Sequence, residues 1–390
     1  MNMQRFTIPR DVYFGSGAIE KLKEVQGTRA LISIGSDRLV QSGVVQKVQA
    51  LLEEAGMESE LYSGIEHDPT MAMVEACAEK MKAYQPDVIV AIGGGSPIDA
   101  TKAAWTFYEY PELTVEQAAT PFGLPALRQK AKFIAVTTTS GTGTEVTSFA
   151  VIADTETDIK FPMADYNLTP DMAIVDTDLV GTLTPELVAN TGMDALTHSI
   201  EAYVSTVRNP ITDSLAMKSI EMIVEDVVKS YEGDMTAREN MHLAQCMAGM
   251  AFSNAILGIV HSMAHKTGRL FGIPHGCANA IYLTYVIQYN SKEAAAVFAD
   301  IARRLHLEGD NEEELTASLV ELIADLRKKM NIPASLKEYG VEEHVFLDKL
   351  ETISEAAVGD PCTGTNPRSV TPEQMKELFL SAYYGKPVSF

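Results

Sequence analysis

Five residues, four of them in pairs at helical spacing, carry most of the chemistry that this sequence offers. Asp194 and His198 stand four apart in Asp194-Ala-Leu-Thr-His198, and His261 and His265 repeat the spacing in His261-Ser-Met-Ala-His265. On a helix, each pair falls on one side, a single turn apart. His275 follows the break Gly272-Ile-Pro274, which is able to turn it back toward the same cavity. One carboxylate with two or three imidazoles suits Fe(II) or Zn(II) and leaves room for an exogenous oxygen ligand. Singly, His198 or His261 reads as a core histidine satisfied by hydrogen bonds. As a set in an apolar stretch, where isolated polar residues are costly, they read as a metal site. The remaining histidines, His67, His242, His306 and His344, lie in surface-like contexts, and the cysteines form no paired motif of the zinc-finger kind.

A second feature is a glycine loop. The apolar run Val88-Ile-Val-Ala-Ile92 leads into Gly93-Gly94-Gly95-Ser96, and Pro97 then opens a helix. Glycines let backbone approach a pyrophosphate, and a helix N-terminus offers free N–H groups and a positive dipole end. The loop is neither GxGxxG nor a Walker sequence, so a plain strand-to-helix turn is the competing reading. A second strand end, Thr137-Thr138-Thr139-Ser140-Gly141-Thr142-Gly143-Thr144, clusters hydroxyls and glycines as the other wall of a nucleotide cleft would. Near the first strand, Asp37 in Gly35-Ser36-Asp37-Arg38 is placed to accept from ribose hydroxyls, which favours NAD, while Arg38 beside it favours the 2′-phosphate of NADP. Asp37 reads almost as well as a cap for the helix that follows.

These groups need elements to hold them. Short β-branched runs at Ala30–Ile34, Asp87–Ile92, Lys132–Thr137 and Met172–Val175 alternate with helical patterns, one after Asp37 and one over Met71–Tyr84. That alternation predicts βαβ units, a Rossmann-like parallel sheet, and ligands at the carboxyl ends of its strands. Past residue 180 strand signals nearly vanish. Thr184 is an N-cap with Pro185 at the first helical position, and Thr371-Pro-Glu-Gln374 repeats that start with a capping box. Ala- and Met-rich Met241–Leu257 reads as a buried helix whose continuation carries His261 and His265. The reading is an α/β dinucleotide-binding domain over 1–181 and an all-α metal-binding and catalytic domain over 182–390.

Composition sets outer bounds. The chain has 390 residues, 46% of them hydrophobic and 22% charged, which is ordinary for a soluble enzyme of two domains. A net charge of −22 argues against nucleic-acid and acidic-membrane partners. No apolar run is long enough to span a bilayer, and the first residues lack a secretory pattern. Four scattered cysteines fit a reducing cytoplasm.

With the glycine loop and the Asp/His set both in view, the chain resembles the iron-dependent (group III) alcohol dehydrogenases nearly end to end. The matching stretches are Gly93-Gly-Gly-Ser-Pro-Ile-Asp99, Thr138-Thr-Ser-Gly-Thr142 with Glu145-Val-Thr147, and Gly192-Met-Asp-Ala-Leu-Thr-His198. They continue in Ala251-Phe-Ser-Asn-Ala255, His261-Ser-Met-Ala-His265, Pro274-His-Gly276 and Asn366-Pro-Arg368. Within the family it looks most like clostridial butanol dehydrogenases and the alcohol-dehydrogenase half of bifunctional aldehyde–alcohol dehydrogenases. The resemblance implies the dehydroquinate synthase-like fold and an iron site (zinc the alternative) made by Asp194, His198, His261 and His275. It leaves His265 for proton relay. It implies cofactor contacts from Gly94, Gly95, Ser96, Asp99, Thr138, Thr139, Thr142, Thr147 and Lys160, and a substrate pocket lined by Phe149, Phe252 and Cys362. NAD-using relatives carry a Thr-Asp pair where this chain has Gly35-Ser36-Asp37-Arg38, and NADP-using ones a Gly-Gly-Gly-Ser run; Asp37 tips the reading to NAD.

The expected reaction is reversible reduction of a short-chain aldehyde by a nicotinamide coenzyme. The rivals are a glycerol-type polyol dehydrogenase or a dehydroquinate-synthase-like lyase on the same fold, and a metallohydrolase of a phosphorylated substrate. A homodimer or larger assembly is expected, with Phe6-Thr-Ile8 and Val12-Tyr-Phe14 as candidate pairing strands.

Overall fold

The computed structural model describes residues 4–153 and 160–390, and the side chains of residues 160–162 lie outside that description. The chain divides into two compact units, Met1–Thr182 and Leu183–Phe390.

The first unit holds strands β1 (Asp11–Phe14), β2 (Arg29–Ile34), β3 (Glu58–Ser63), β4 (Val88–Gly93), β5 (Lys132–Thr137), β6 (Phe149–Ala153), β7 (Lys160–Ala164) and β8 (Met172–Val175). Six form one parallel sheet in the order β1-β8-β5-β4-β2-β3. The central strands read as continuous apolar runs because both faces are covered. Leu31, Ile89, Ala91, Phe133 and Ala135 pack on one side with the helices Met71–Tyr84 and Gly95–Glu109. Ile32, Ile34, Val88, Val90, Ile92 and Val136 face the other with the helix Val44–Glu54. The order reverses between β2 and β4, so the crevice at their carboxyl ends lies between Gly35–Asp37 and Gly93–Ser96, where open α/β sheets bind ligands.

The four expected strands are β2, β4, β5 and β8, and Met71–Tyr84 is helical as its periodicity requires. The sequence reading did not anticipate β3 or the antiparallel hairpin β6–β7. Val12–Phe14 lies in β1 at a sheet edge, whereas Phe6–Ile8 forms no strand.

The second unit is helical. Thr184 Oγ1 accepts from Leu187 N at 3.3 Å with Pro185 in the first turn, and Thr371 and Gln374 form the capping box. One expectation fails: His261 and His265 are not on a continuation of the Met241 helix. That helix, Met235–Ala255, ends at Ile256, and a new helix, Ile259–Phe271, leaves at a bend of 108°. Ile256 takes φ +61, a costly value for a β-branched residue. The break is held by Ser205 Oγ on the Ala255 carbonyl (2.5 Å) and Thr365 Oγ1 on the Leu257 carbonyl (2.6 Å). His242 is also not in a surface context, since it is fully buried within Met235–Ala255. Among the described residues no single helix is long and apolar enough to cross a membrane.

Candidate metal centre and nucleotide site

Three helices bring the proposed ligands together. Asp194 and His198 sit a turn apart on Pro185–Val204, His261 is near the start of Ile259–Phe271, and His275 is the first residue of His275–Arg304. Close backbone approach makes this possible: a Cβ on Gly276 would lie 2.0 Å from the Asn190 carbonyl oxygen.

Asp194 Oδ1 is 4.0 Å from His198 Nε2, 3.8 Å from His261 Nε2 and 3.7 Å from His275 Nε2. Donors about 2.0–2.2 Å from a shared cation stand roughly 3 to 4.4 Å apart; Asp194, His261 and His275 are grouped closely enough to hold one ion, and His198 adjoins them through Asp194. The chemistry of the set agrees. Burial would push the Asp194 carboxyl up, but His198, His275 and His261 outweigh it and hold the group well below the usual carboxylate range. Burial likewise opposes a charged His261 ring, yet Glu201 and Asp194 raise it to about 9. A buried anion facing three imidazoles is a pocket built for positive charge.

Sequence reasoning missed the residues behind the ligands. Glu201 Oε2 accepts from His261 Nδ1 at 2.5 Å. Asn279 is fully buried, its Nδ2 donating to Asp194 Oδ1 at 2.7 Å and lying 3.1 and 3.2 Å from Nε2 of His261 and His275. Its own Oδ1 has no partner among the described residues. The amide nitrogen thus stands among one carboxylate oxygen and two ring nitrogens. The signal was spacing: Asn279 is one turn past His275, and Glu201 two turns past Asp194.

His265 belongs to a neighbouring group with Asp360 and Cys362. Its Nδ1 is 3.1 Å from Asp360 Oδ2, which Lys266 Nζ also approaches at 2.8 Å. Burial opposes ionisation of Asp360, but His265 and Lys266 overcome it and hold the carboxyl far below its usual range. Asp360 Oδ1 accepts from Cys362 N at 3.0 Å, and burial pushes the Cys362 thiol well up. The rings of His265 and His275 are stacked at 5.6 Å. Phe252 is buried and stacks on His198 at 4.3 Å.

In the first unit the residues fit a nucleotide. Gly94 and Gly95 form a cradle that side chains would fill: a Cβ would come within 2.9 Å of Thr139 Oγ1 at Gly94 and 3.0 Å of Thr142 Cγ2 at Gly95. Thr139 Oγ1 is buried with no partner among the described residues, a donor waiting for an acceptor. The helix after the loop starts at Gly95 and has no side-chain cap, so Ser96 and Pro97 lie inside its first turn. Thr138 N donates to the Gly93 carbonyl at 2.9 Å, joining the two strand ends.

Asp99 and Thr147, expected at the cofactor, serve the loop itself. Asp99 accepts from Thr144 Oγ1 and, at 3.0 Å, from Val151 N. Thr147 Oγ1 lies 3.2 Å from Nζ of Lys102, a fully buried lysine that also donates to the carbonyls of Thr144 (2.7 Å), Thr147 (2.8 Å) and Phe149 (2.9 Å). Burial pushes the Lys102 ammonium down to about 8 against the pull of Asp99 and Glu145. Asp37 precedes a short helical turn but makes no side-chain cap, and it is exposed together with Ser36 and Arg38. Lys160 opens β7, and its side chain lies outside the described residues.

Known proteins match throughout. The family model for iron-containing alcohol dehydrogenase covers residues 9–177, and that for the C-terminal part of the Fe-containing alcohol dehydrogenase family covers 188–383. An NADPH-dependent butanol dehydrogenase of Clostridium saccharobutylicum is 56% identical over 388 residues, spanning 100% of both chains. A bifunctional aldehyde-alcohol dehydrogenase of Escherichia coli (strain K12) is 40% identical over 99% of this chain and 47% of its own length. A solved 1,3-propanediol oxidoreductase superposes with TM-score 0.92 at 34% identity, covering 98% of this chain and 100% of that one. The parallel-sheet unit, the helical unit and these matches agree, and the chain belongs to the iron-containing alcohol dehydrogenase family.

Proposed function

We propose that this alcohol dehydrogenase reversibly reduces a short-chain aldehyde such as butanal with NADPH, using one Fe(II) held by Asp194, His198, His261 and His275. The observation that carries the reading is the convergence of three imidazoles on one buried carboxylate. Butanol is the alcohol in the name of the 56%-identical relative, and the 1,3-propanediol oxidoreductase supports small diols as further substrates.

When bound, the metal polarises a carbonyl oxygen and the nicotinamide supplies the hydride. The chain's residues do the rest. Asp194 stays ionised and offsets the cation's charge. Asp360 holds Nδ1 of His265, which leaves Nε2 as the nitrogen that exchanges a proton with the substrate oxygen. Phe252, flat against His198, keeps water from that side of the site, with Cys362 as a further wall.

The coenzyme preference moves from the expected NAD to NADP. Asp37 supported NAD, but the 56%-identical relative is NADPH-dependent, and exposed Arg38 is suited to a 2′-phosphate. We read the assembly as a cytoplasmic homodimer. Support comes from the edge position of β1, its Phe14 63% exposed, and from four free cysteines.

The test is anaerobic turnover. Zinc outcompetes Fe(II) at nitrogen and oxygen sites on affinity alone, so Fe(II) is loaded without competing metals. Butanal-dependent NADPH oxidation that exceeds NADH oxidation supports the reading. Phosphate release from a phosphoester with no NAD(P)H turnover contradicts it in favour of a metallohydrolase.

A further inference from the structure

We infer that Glu201 is a positioning residue for the metal centre: it fixes the tautomer and orientation of His261 so that Nε2 presents a lone pair to the cation. This rests on His261 being a ligand, as proposed above.

Glu201 is 3% exposed and its two oxygens serve different partners. Oε2 is 2.5 Å from His261 Nδ1, and Oε1 accepts from Val260 N at 2.8 Å. One carboxylate thus grips both the ring and the first turn of the helix that carries it, where the unpaired N–H groups favour an anion. The grip leaves no slack. A Cβ on Gly258, just before that helix, would lie 2.8 Å from Glu201 Oε1 and 2.9 Å from Asn366 Oδ1. Asn366 is itself clasped by Asn290 through paired amides of 2.9 and 2.8 Å.

A carboxylate oxygen can only accept from Nδ1–H, so a neutral His261 ring keeps its proton there. Nε2 then faces Asp194 Oδ1 (3.8 Å) and accepts from Asn279 Nδ2 (3.1 Å). The Asn279 N–H, as donor, is consistent with a lone pair directed at the metal position. Carboxylate partners of this kind raise a ligand's basicity, and their loss typically weakens metal binding 10- to 100-fold.

Glu201→Gln makes the test sharp because its amide cannot serve both contacts as an acceptor. If Oε1 keeps Val260 N, the amide NH₂ faces Nδ1 and drives the ring proton to Nε2, toward the metal position. The measurements are long-range ¹H–¹⁵N spectra of the metal-free chain, at a pH where the ring is neutral, and Co(II) titration of the same samples. NADPH affinity serves as the folding control. The expected result is Nδ1–H at His261 in the wild type, Nε2–H in the variant, and a 10- to 100-fold weaker Co(II) Kd with NADPH binding unchanged.

Retention of Nδ1–H in the variant overturns the inference, even if Co(II) binding weakens, because Glu201 would then act through charge alone. Should the variant fail to fold, Nε2–H at His261 in the wild type overturns it by itself. Wild-type protein that shows Nδ1–H but takes up no Co(II) instead refutes the metal reading, so the two failures are distinguishable.

Discussion

Gly276→Ala should dismantle the metal centre without replacing a ligand. A Cβ at this position would lie 2.0 Å from the Asn190 carbonyl oxygen, 2.7 Å from its carbon and 3.2 Å from Asp194 Cβ. Real contacts of this kind do not fall below 3.0 Å, so the helix His275–Arg304 has to retreat by about 1 Å from Pro185–Val204. Both obstructing atoms are backbone, and no rotamer change relieves them. Overpacking of this sort costs about 1–3 kcal/mol of stability. The larger effect falls on the site: His275 moves with its helix while Asp194 stays, and metal–ligand distances tolerate only about 0.2 Å. Metal affinity should drop at least about 100-fold, the upper end of outer-shell effects, because a ligand itself is displaced. Urea unfolding of the metal-free protein gives the first quantity and Fe(II) or Co(II) titration the second. Gly359→Ala, where the nearest contact is an ordinary 3.7 Å, is the control and should change neither. A Gly276→Ala protein that binds metal within twofold of wild type refutes the claim that this helix contact sets ligand geometry.

Two further outcomes follow from the charges. His261 is raised from 6.5 to about 9 in the metal-free chain. Its folded form therefore holds a proton that the unfolded form releases. That contribution to stability is complete below about 6.5 and is lost as pH rises through about 9. The metal-free protein should thus gain stability as pH falls across this window. Apparent metal affinity should fall about tenfold per pH unit, since the ring must shed that proton to bind. Chemical denaturation and metal titration at pH 7, 8 and 9 check both signs. Lys102→Met leaves the buried carbonyls of Thr144, Thr147 and Phe149 without their donor, at about 1–3 kcal/mol each. The variant should be less stable and bind NADPH at least about tenfold more weakly, with Co(II) affinity unchanged, as read by fluorescence titration.

The fold was legible where the pattern was strong. Both-face-buried strands such as β4 and capped helices such as the one after Thr184 follow from local rules. β3 hid because an edge strand with a half-exposed mixture of Glu, Ser, Leu and Tyr has neither an apolar run nor clean alternation. The break at Ile256 hid because a residue held at positive φ by distant hydroxyls leaves no mark in the local sequence. At the metal site Asp194, His198 and His261 were visible through i, i+4 pairs and His275 through the break before it. Glu201 and Asn279 were not, since single polar residues on a helix gain meaning only when the helices are assembled. Asp360 lies 95 residues from His265, too far for any spacing argument. Nothing in the local sequence marks Lys102, on the helix Gly95–Glu109, as fully buried.

Iron K-edge absorption of the anaerobically reconstituted chain tests the four-ligand centre most directly. One iron per chain, surrounded only by nitrogen and oxygen at about 2.0–2.2 Å with imidazole scattering beyond, is the expected result. A sulfur neighbour at about 2.3 Å would move the iron to the His265, Asp360 and Cys362 group and contradict the assignment of Asp194, His198, His261 and His275.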